Sequence, residues 1–270
     1  MRDFRILFTV LLISFVWITS ANAISPERQR EIIENFMYVT GQLEERPGQV
    51  LTDEDGKPLP IKCGTSAIAD FILNRDKLDE GLMKSLGVQV YDRPPLIDEQ
   101  TYDTPDGFFK IHYSTVGNDS VYKASVDNAP ANGIPDYVDS VAWICDSVYN
   151  HIVNVLGYPS PPTDGFYDTL SGDSLYDVYL SDLYSGMYGQ TWIDNFAEGE
   201  EGGQRVTSFI EIDKDYQGLS MYVDCPVDAA RVTIAHEFFH AVQFGIDFTE
   251  TELFIRNTTP PDTTVARYWM

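Results

Sequence analysis

A single uncharged stretch near the end of the chain constrains its fold most. From Val232 to Phe244 the only charged residue is Glu237, and His236 and His240 stand four residues apart around it. Residues four apart lie on one face of a helix, so the two imidazoles can bind the same metal ion. A helix that is apolar on all sides is buried, and burying His, Glu and His costs free energy unless each finds a partner. The stretch therefore predicts a buried helix that carries a metal site.

The same three residues indicate a reaction. In the pattern His-Glu-x-x-His, the histidines hold zinc and the glutamate takes a proton from a zinc-bound water. The chain has only 4 histidines, so this spacing rarely arises by chance. The alternative, a core helix with two satisfied histidines, is disfavoured because it gives Glu237 no role. We predict a zinc-dependent hydrolase of peptide bonds, with His236 and His240 as zinc ligands and Glu237 as general base.

The first residues are typical of an export signal. Arg2 and Arg5 precede an apolar run over residues 6–18. Ala21-Asn22-Ala23 then supplies the small residues of a cleavage site. The run is short for a membrane span, so an uncleaved anchor is disfavoured. We expect residues 1–23 to be removed and the protein to be secreted or periplasmic, with no membrane contact afterwards.

The charge balance narrows the classes of partner. The formal net charge is -24 and no basic cluster occurs, which disfavours binding to nucleic acid. The expected partner is a protein or peptide substrate. Many aspartates stand in loops, where they either bind calcium or form a solvated surface.

One acidic loop, before a helix predicted over residues 135–156, is similar to a calcium-binding loop. Its candidate ligands are Asn128, Asn132, Asp136 and Asp139. Pro130 departs from the pattern, because it stands where an oxygen ligand is needed. Two interpretations stay open: a structural calcium ion, or a capped start of the helix.

The 3 cysteines have different expected states. Cys145 lies on an apolar helical stripe and is expected to be a buried free thiol. Cys63 and Cys225 are expected to form a disulfide, the default in an oxidising compartment. A second interpretation starts from Pro60-Ile61-Lys62-Cys63-Gly64, which resembles the cysteine-switch segment of matrix metalloprotease propeptides. That resemblance implies a latency segment, residues 24 to about 95, whose Cys63 thiolate caps the zinc.

The chain divides near Arg93-Pro94-Pro95, which interrupts helical patterns that begin at Ser25 and Thr65. We predict a helical N-terminal segment over residues 24–95 and a mixed α and β domain over residues 96–270. Alternating apolar and polar residues predict its strands. These are residues 107–113, 177–180, 188–192 and 208–213. The last is expected to lie along a cleft edge and pair with an extended substrate. His112 is interpreted as a strand histidine, and His151 as solvent-facing.

Four segments taken together resemble one family, a group of secreted bacterial zinc metalloproteases of the kind found in myxobacteria. The segments are Gly107–Tyr113, Asn132–Val138, Tyr176–Leu180 and Ala235–Gln243. The resemblance implies an α+β fold with a zincin-like catalytic domain of the gluzincin kind. It also implies zinc held by His236 and His240, with Glu237 as general base.

The third zinc ligand is not evident from the motif. Catalytic zinc has three protein ligands and one open position. A metzincin needs Gly at 243 and His at 246, but Gln243 and Ile246 stand there. Glu250 and Glu252 follow closely, in a polar stretch with the composition of a loop. We therefore expect the third ligand on a later helix beyond Met270, and the domain to be C-terminally incomplete.

Two other functions are considered. One is a calcium-stabilised extracellular binding module on a zincin scaffold without turnover. The other is a zinc amidase that acts on cell-wall peptides.

Overall fold

The structure is a computed structural model. It describes residues 24–48, 56, 63–90, 93–163, 173–183, 186–196, 205–218 and 222–248. The helices in this part of the chain are α1 (Pro26–Val39), α2 (Thr65–Asn74), α3 (Glu80–Leu86), α4 (Asp136–Tyr149) and α5 (Pro226–Ile246). A 3-10 turn covers Arg75–Lys77, and a π-helical turn, Asn150–Val155, extends α4. The strands are β1 (Gln100–Asp103), β2 (Phe109–Tyr113), β3 (Tyr176–Ser181), β4 (Gly189–Phe196) and β5 (Val206–Asp213).

The five strands form one mixed sheet in the order β1-β2-β3-β5-β4. The central strands β2, β3 and β5 run parallel, while β1 and β4 pair antiparallel at the two ends. The mixed α and β class predicted from the sequence is therefore confirmed. The prediction that residues 208–213 lie at a cleft edge and pair with a substrate is wrong, because β5 lies between β3 and β4. The free edge on this side of the sheet belongs to β4.

Apolar residues on the two faces of the sheet pack into two different cores. Val178 and Ile210 point to the face covered by α4 and α5. Their neighbours Tyr179 and Phe209 point to the opposite face, which α1 and α2 cover. Because successive residues of a strand face opposite sides, an internal strand buried on both faces becomes apolar throughout. The sheet is thus the middle layer of three.

The N-terminal helices begin where the sequence predicts. The Ser25 side chain accepts a hydrogen bond from the Arg28 backbone N–H at 3.2 Å, and Pro26 is the first residue of α1. Phe36 of α1 stacks on Phe71 of α2 with ring centroids 4.0 Å apart. These helices are therefore one layer of the fold.

Residues that follow the N-terminal helices are fixed to the sheet as well. The Arg93 guanidinium donates to both carboxylate oxygens of Asp194 in β4, at 3.0 and 2.9 Å. The same group lies 4.6 Å from the centre of the Phe209 ring. The point where we predict a division in the chain is therefore in contact with the middle layer. No helix among the described residues is long and apolar enough to cross a membrane.

Candidate metal centre

The predicted histidine helix forms as α5 and carries the site on one side. Pro226 opens the helix and Asp228 stands in its first turn, as expected for a helix start. Most of its apolar residues are buried, but Val232 is 59% exposed, so the helix is not enclosed on all sides. Glu237 is only 1% exposed.

Three side chains bring metal-binding atoms together. His236 Nε2 and His240 Nε2 lie 3.1 Å apart, and Cys63 Sγ lies 3.7 Å from His240 Nε2. These three donor atoms lie within 4.8 Å of one another, the one such group of His, Cys, Asp or Glu in the described part of the chain. The arrangement can hold a metal ion. It also meets the condition on which the Cys63 capping hypothesis depends, since the sulfur is close to both histidines.

The disulfide expected from the sequence is wrong. Cys63 and Cys225 both lie among the described residues, and Cys63 is a free thiol whose sulfur faces His240 and Glu237. Cys145 is a fully buried free thiol, as predicted. Burial, together with the charge of Glu237, raises the pKa of the Cys63 thiol well above its ordinary value.

The two histidines are held in the neutral form that binds metals. Burial lowers the pKa of His236, and burial together with His236 lowers the pKa of His240 to about 4. The Gln243 side-chain oxygen lies 3.1 Å from His240 Nδ1. A hydrogen bond from Nδ1 to that oxygen leaves the Nε2 lone pair directed at the shared site. Gln243 therefore orients the His240 imidazole, a contact that sequence reasoning missed.

The two oxygens of the Glu237 carboxylate have different surroundings. Its Oε2 accepts a hydrogen bond from Thr65 Oγ1 at 2.9 Å and lies 3.8 Å from Cys63 Sγ. The Thr191 hydroxyl lies 2.9 Å from both Oε2 and the Glu237 carbonyl, so these two oxygens share its one proton. Its Oε1 is buried and has no hydrogen-bond partner among the described residues. That oxygen lies 4.0 Å from His236 Nε2. A buried carboxylate oxygen without a partner, beside the metal donors, is suited to bind a water molecule or a reacting group.

Burial raises the pKa of the Glu237 carboxyl to about 7, although the hydrogen bonds from Thr191, Thr65 and Cys63 act to lower it. A carboxyl with a pKa near neutrality can both take up and release a proton under ordinary conditions. The environment thus gives Glu237 the property that a general base needs.

Strand β4 comes close to this helix because of a glycine. A Cβ on Gly189 would lie 2.5 Å from Thr233 Cγ2 and 3.2 Å from Glu237 Cγ. The close approach brings Thr191 of the same strand to Glu237. A glycine inside a strand is a known sign of close backbone approach, and it is the signal that could have found this contact.

The segment Cys63–Thr65 covers the site along the edge of β4. Cys63 forms a parallel bridge with Gly189, and the Gly64 N–H donates to the Gly189 carbonyl at 3.2 Å. A cavity of about 680 Å³ elsewhere, lined by Arg93, Glu211 and Lys214 among others, does not include the metal donors. The donors are reached instead through His236, whose side chain is 36% exposed.

The other candidate residues lie apart from this group. In the acidic loop the Asp136 carboxylate accepts the backbone N–H groups of Asn128 and Ala129, at 2.8 and 3.0 Å. Asn132 Nδ2 donates to Asp139 Oδ1 at 3.1 Å. These contacts lie within the loop, and Pro135 at the start of α4 makes no side-chain cap hydrogen bond, so the capped helix start is wrong. Calcium at Asn128, Asn132, Asp136 and Asp139 stays a prediction. Glu250 and Glu252 lie outside the described residues, as do the export signal and Pro60-Ile61-Lys62.

The two remaining histidines are as predicted. His112 lies in β2 with Nδ1 at 2.5 Å from Glu99 Oε1 and Nε2 at 3.0 Å from Asp177 Oδ1. Burial acts to lower the pKa of His112, but the hydrogen bonds and charges of Asp177 and Glu99 outweigh it and raise that pKa. His151 is exposed. Neither histidine is one of the metal donors.

No protein-family model, curated protein or solved structure matches this chain. The resemblance to secreted bacterial zinc metalloproteases therefore stays a prediction from the sequence motifs.

Proposed function

We propose that the chain is a zinc-dependent peptidase, with a zincin-like catalytic domain, in a closed, latent conformation. One observation carries the proposal. The Glu237 carboxylate is buried beside two neutral imidazoles and a thiol, with one oxygen fixed by two threonines and the other without a partner among the described residues. A core helix with a purely structural role gains nothing from such an arrangement, because an unpaired buried carboxylate oxygen costs free energy.

The donor set favours zinc. Zinc binds histidine nitrogen at about 2.0–2.1 Å and cysteine sulfur at about 2.3 Å in a tetrahedron. Those bond lengths give nitrogens about 3.3 Å apart and a sulfur about 3.6 Å from each nitrogen. The observed separations are 3.1 Å between the two Nε2 atoms and 3.7 Å from Cys63 Sγ to His240 Nε2. The sulfur lies within 4.8 Å of His236 Nε2, so it would move towards that nitrogen if Cys63, His236 and His240 held one ion.

Each residue then has a chemical role. A bound zinc ion supplies Lewis-acid activation of a water molecule and polarisation of a peptide carbonyl. Glu237 Oε1 is the oxygen available to take the proton, because Thr65 and Thr191 occupy Oε2. Gln243 holds His240 in the tautomer that leaves Nε2 free for the metal. β4 is the edge strand on this side of the sheet, the kind of strand with which an extended peptide pairs.

Cys63 closes the site in this proposal. Its sulfur takes the coordination position that a catalytic zinc site keeps open for water and substrate. Its bridge to Gly189 also covers the start of the β4 edge. Removal of the Cys63 thiol from the metal would expose both. The export signal at residues 1–23 is part of the same proposal, with substrates outside the cytoplasm.

The test compares Glu237→Gln with Glu211→Gln in the full chain. Glu211 is a matched control, since it is also a buried glutamate and accepts hydrogen bonds from Ser181, Gln190 and Trp192. Each of the two variants is made in the wild-type and in the Cys63→Ser background, and peptide hydrolysis is measured with saturating zinc. We expect Glu237→Gln to retain zinc and lose about 10²–10⁴-fold in hydrolysis.

Folded Glu211→Gln should keep its activity. Unchanged hydrolysis in Glu237→Gln, or absence of zinc from all variants, would contradict the proposal. Profiling with peptide libraries and cell-wall peptides distinguishes a general endopeptidase from a zinc amidase.

A further inference from the structure

The hydroxyl of Thr65 lies within the proposed catalytic group, although Thr65 belongs to the N-terminal segment. Its Oγ1 accepts a hydrogen bond from the Thr191 backbone N–H at 2.7 Å and donates to Glu237 Oε2 at 2.9 Å. Thr65 is 3% exposed and is the first residue of α2. The hydroxyl therefore has one defined acceptor and one defined donor, so its proton is directed at the carboxylate.

The N-terminal helices, of which α2 carries Thr65, pack against the sheet as part of its core. Phe36 and Phe71 share a core with Trp192 and Phe209 of the sheet. Ala69 of α2 packs with Phe244 at the end of α5. Loss of residues 24–95 would expose Tyr179, Trp192 and Phe209 of the sheet to water, which is unfavourable for large apolar side chains. The N-terminal layer is required for the stability of the sheet.

Cys63 and Thr65 are held in different ways, and Gly64 joins them. Thr65 is fixed by its position in α2 and by the hydrogen bonds to Thr191 and Glu237. Cys63 contacts β4 through an isolated bridge to Gly189. The Gly64 N–H is itself bonded to the Gly189 carbonyl, so a rotation of the Cys63 side chain can move the sulfur away from the histidines while Gly64 and Thr65 stay in place.

We propose that Thr65 is a positioning residue of the working active site, and that Cys63 is displaced without it. This inference rests on the proposed peptidase function. It narrows the latency segment, since α1, α2 and α3 all remain in the active species and only the Cys63 sulfur has to leave the metal donors. Thr65 acts through Glu237: with Thr191 it fixes Oε2, so that Oε1 faces the metal donors.

The test uses Thr65→Val and Thr65→Ser in the full chain with Cys63→Ser, at saturating zinc. Valine keeps the shape but removes the hydroxyl, whereas serine keeps the hydroxyl. We expect Thr65→Val to retain one zinc ion per chain and to lose about ten- to hundred-fold in kcat with little change in KM, as for loss of a hydrogen bond to a charged group. Thr65→Ser should restore most of the loss.

Thr104→Val is the matched control, because Thr104 is equally buried and its hydroxyl bonds the Phe109 backbone N–H away from the site. It should leave kcat unchanged. A second readout does not depend on activity: intact mass and N-terminal sequencing of the native active species should find residues 65–95 present, either covalently joined or co-purifying.

Equal kcat in Thr65→Val and the parent would overturn the inference, as would a fully active species that lacks residues 65–95. Absence of hydrolysis from every variant, including the parent, would instead contradict the proposed function and this inference with it.

Discussion

His112 and the pair His236 and His240 are all partly or fully buried, yet their surroundings differ in kind. Both nitrogens of His112 face carboxylates, those of Glu99 and Asp177. The two Nε2 atoms of the pair face each other at 3.1 Å, with a sulfur next to them. The first arrangement is complete without any ion. The second brings electron-pair donors together: without a cation one Nε2–H can donate to the other Nε2, and around a cation both Nε2 lone pairs and the sulfur can bind it.

The comparison indicates which buried histidines are suited to bind a metal ion. Carboxylate partners stabilise the charged imidazole and raise the pKa of His112, whereas burial lowers the pKa of His236 and His240. A metal ligand must be neutral, so a lowered pKa favours metal binding and a raised one opposes it. The direction of the shift separates a structural histidine from a ligand.

The sharpest way to break this comparison is to remove each histidine in turn. His236→Ala or His240→Ala should lower zinc affinity by at least about 100-fold, because loss of a direct ligand exceeds the 10–100-fold effect of its supporting partners. His112→Ala should keep full zinc binding and instead lower the free energy of unfolding by about 1–3 kcal/mol, since the buried Asp177 carboxylate loses a hydrogen bond and keeps, among the described residues, only the Arg93 guanidinium, 3.8 Å away. Metal titration and denaturant unfolding measure the two effects. Zinc loss in His112→Ala would reverse the assignment.

A smaller effect concerns pH. In the metal-free protein the folded-state pKa of His240, about 4, lies below the ordinary value. The folded state then binds fewer protons than the unfolded chain, so stability is lost as pH falls from about 6.5 towards 4, on the order of 2–3 kcal/mol. The contribution of His112 to stability has the opposite pH dependence. It is fully present below pH about 6.5 and is lost as pH rises through the raised pKa of His112.

Denaturant unfolding in the presence of a chelator, at pH 4.5 and pH 7, should therefore show a smaller acid-side loss in His240→Ala than in the wild type. NMR titration of the histidine rings measures the order of their pKa values directly. His112 titrating below His240 would contradict the account.

The smallest expected effect concerns the third donor. Cys63→Ser should raise peptide hydrolysis by the full chain about tenfold at saturating zinc, because the position that the thiolate fills becomes open. Cys145→Ser is the control, since Cys145 is a buried thiol away from the metal donors. A fall in hydrolysis in Cys63→Ser would make Cys63 a resident ligand and exclude the latency role.

The part of the site within one helical turn could be predicted from the sequence. The spacing of His236, Glu237 and His240 fixes their common face wherever a helix forms. Cys63 and Thr65 reach Glu237 across 174 and 172 residues of chain. No local pattern encodes such contacts, and only the short motif around Cys63 indicated one of them.

The strands show the same limit. Residues 208–213 were correctly predicted as a strand, because apolar side chains recur along them. Their place in the sheet was not, since strand order depends on pairing between distant segments. Phe209 and Ile210 point to opposite faces and are both buried, a pattern typical of an internal strand. The edge strand β4 has the same pattern at Trp192 and Ile193, so neighbouring buried residues do not by themselves reveal which strand is the edge.

The central claim is that Cys63, His236 and His240 share one metal ion. X-ray absorption at the zinc edge of the folded, full-length protein tests it most directly. The account predicts one zinc ion per chain, with nitrogen neighbours at about 2.0–2.1 Å and a single sulfur at about 2.3 Å. The sulfur should disappear in Cys63→Ser and persist in Cys145→Ser. Folded protein that retains no zinc, or zinc whose neighbours include neither sulfur nor imidazole, would contradict it.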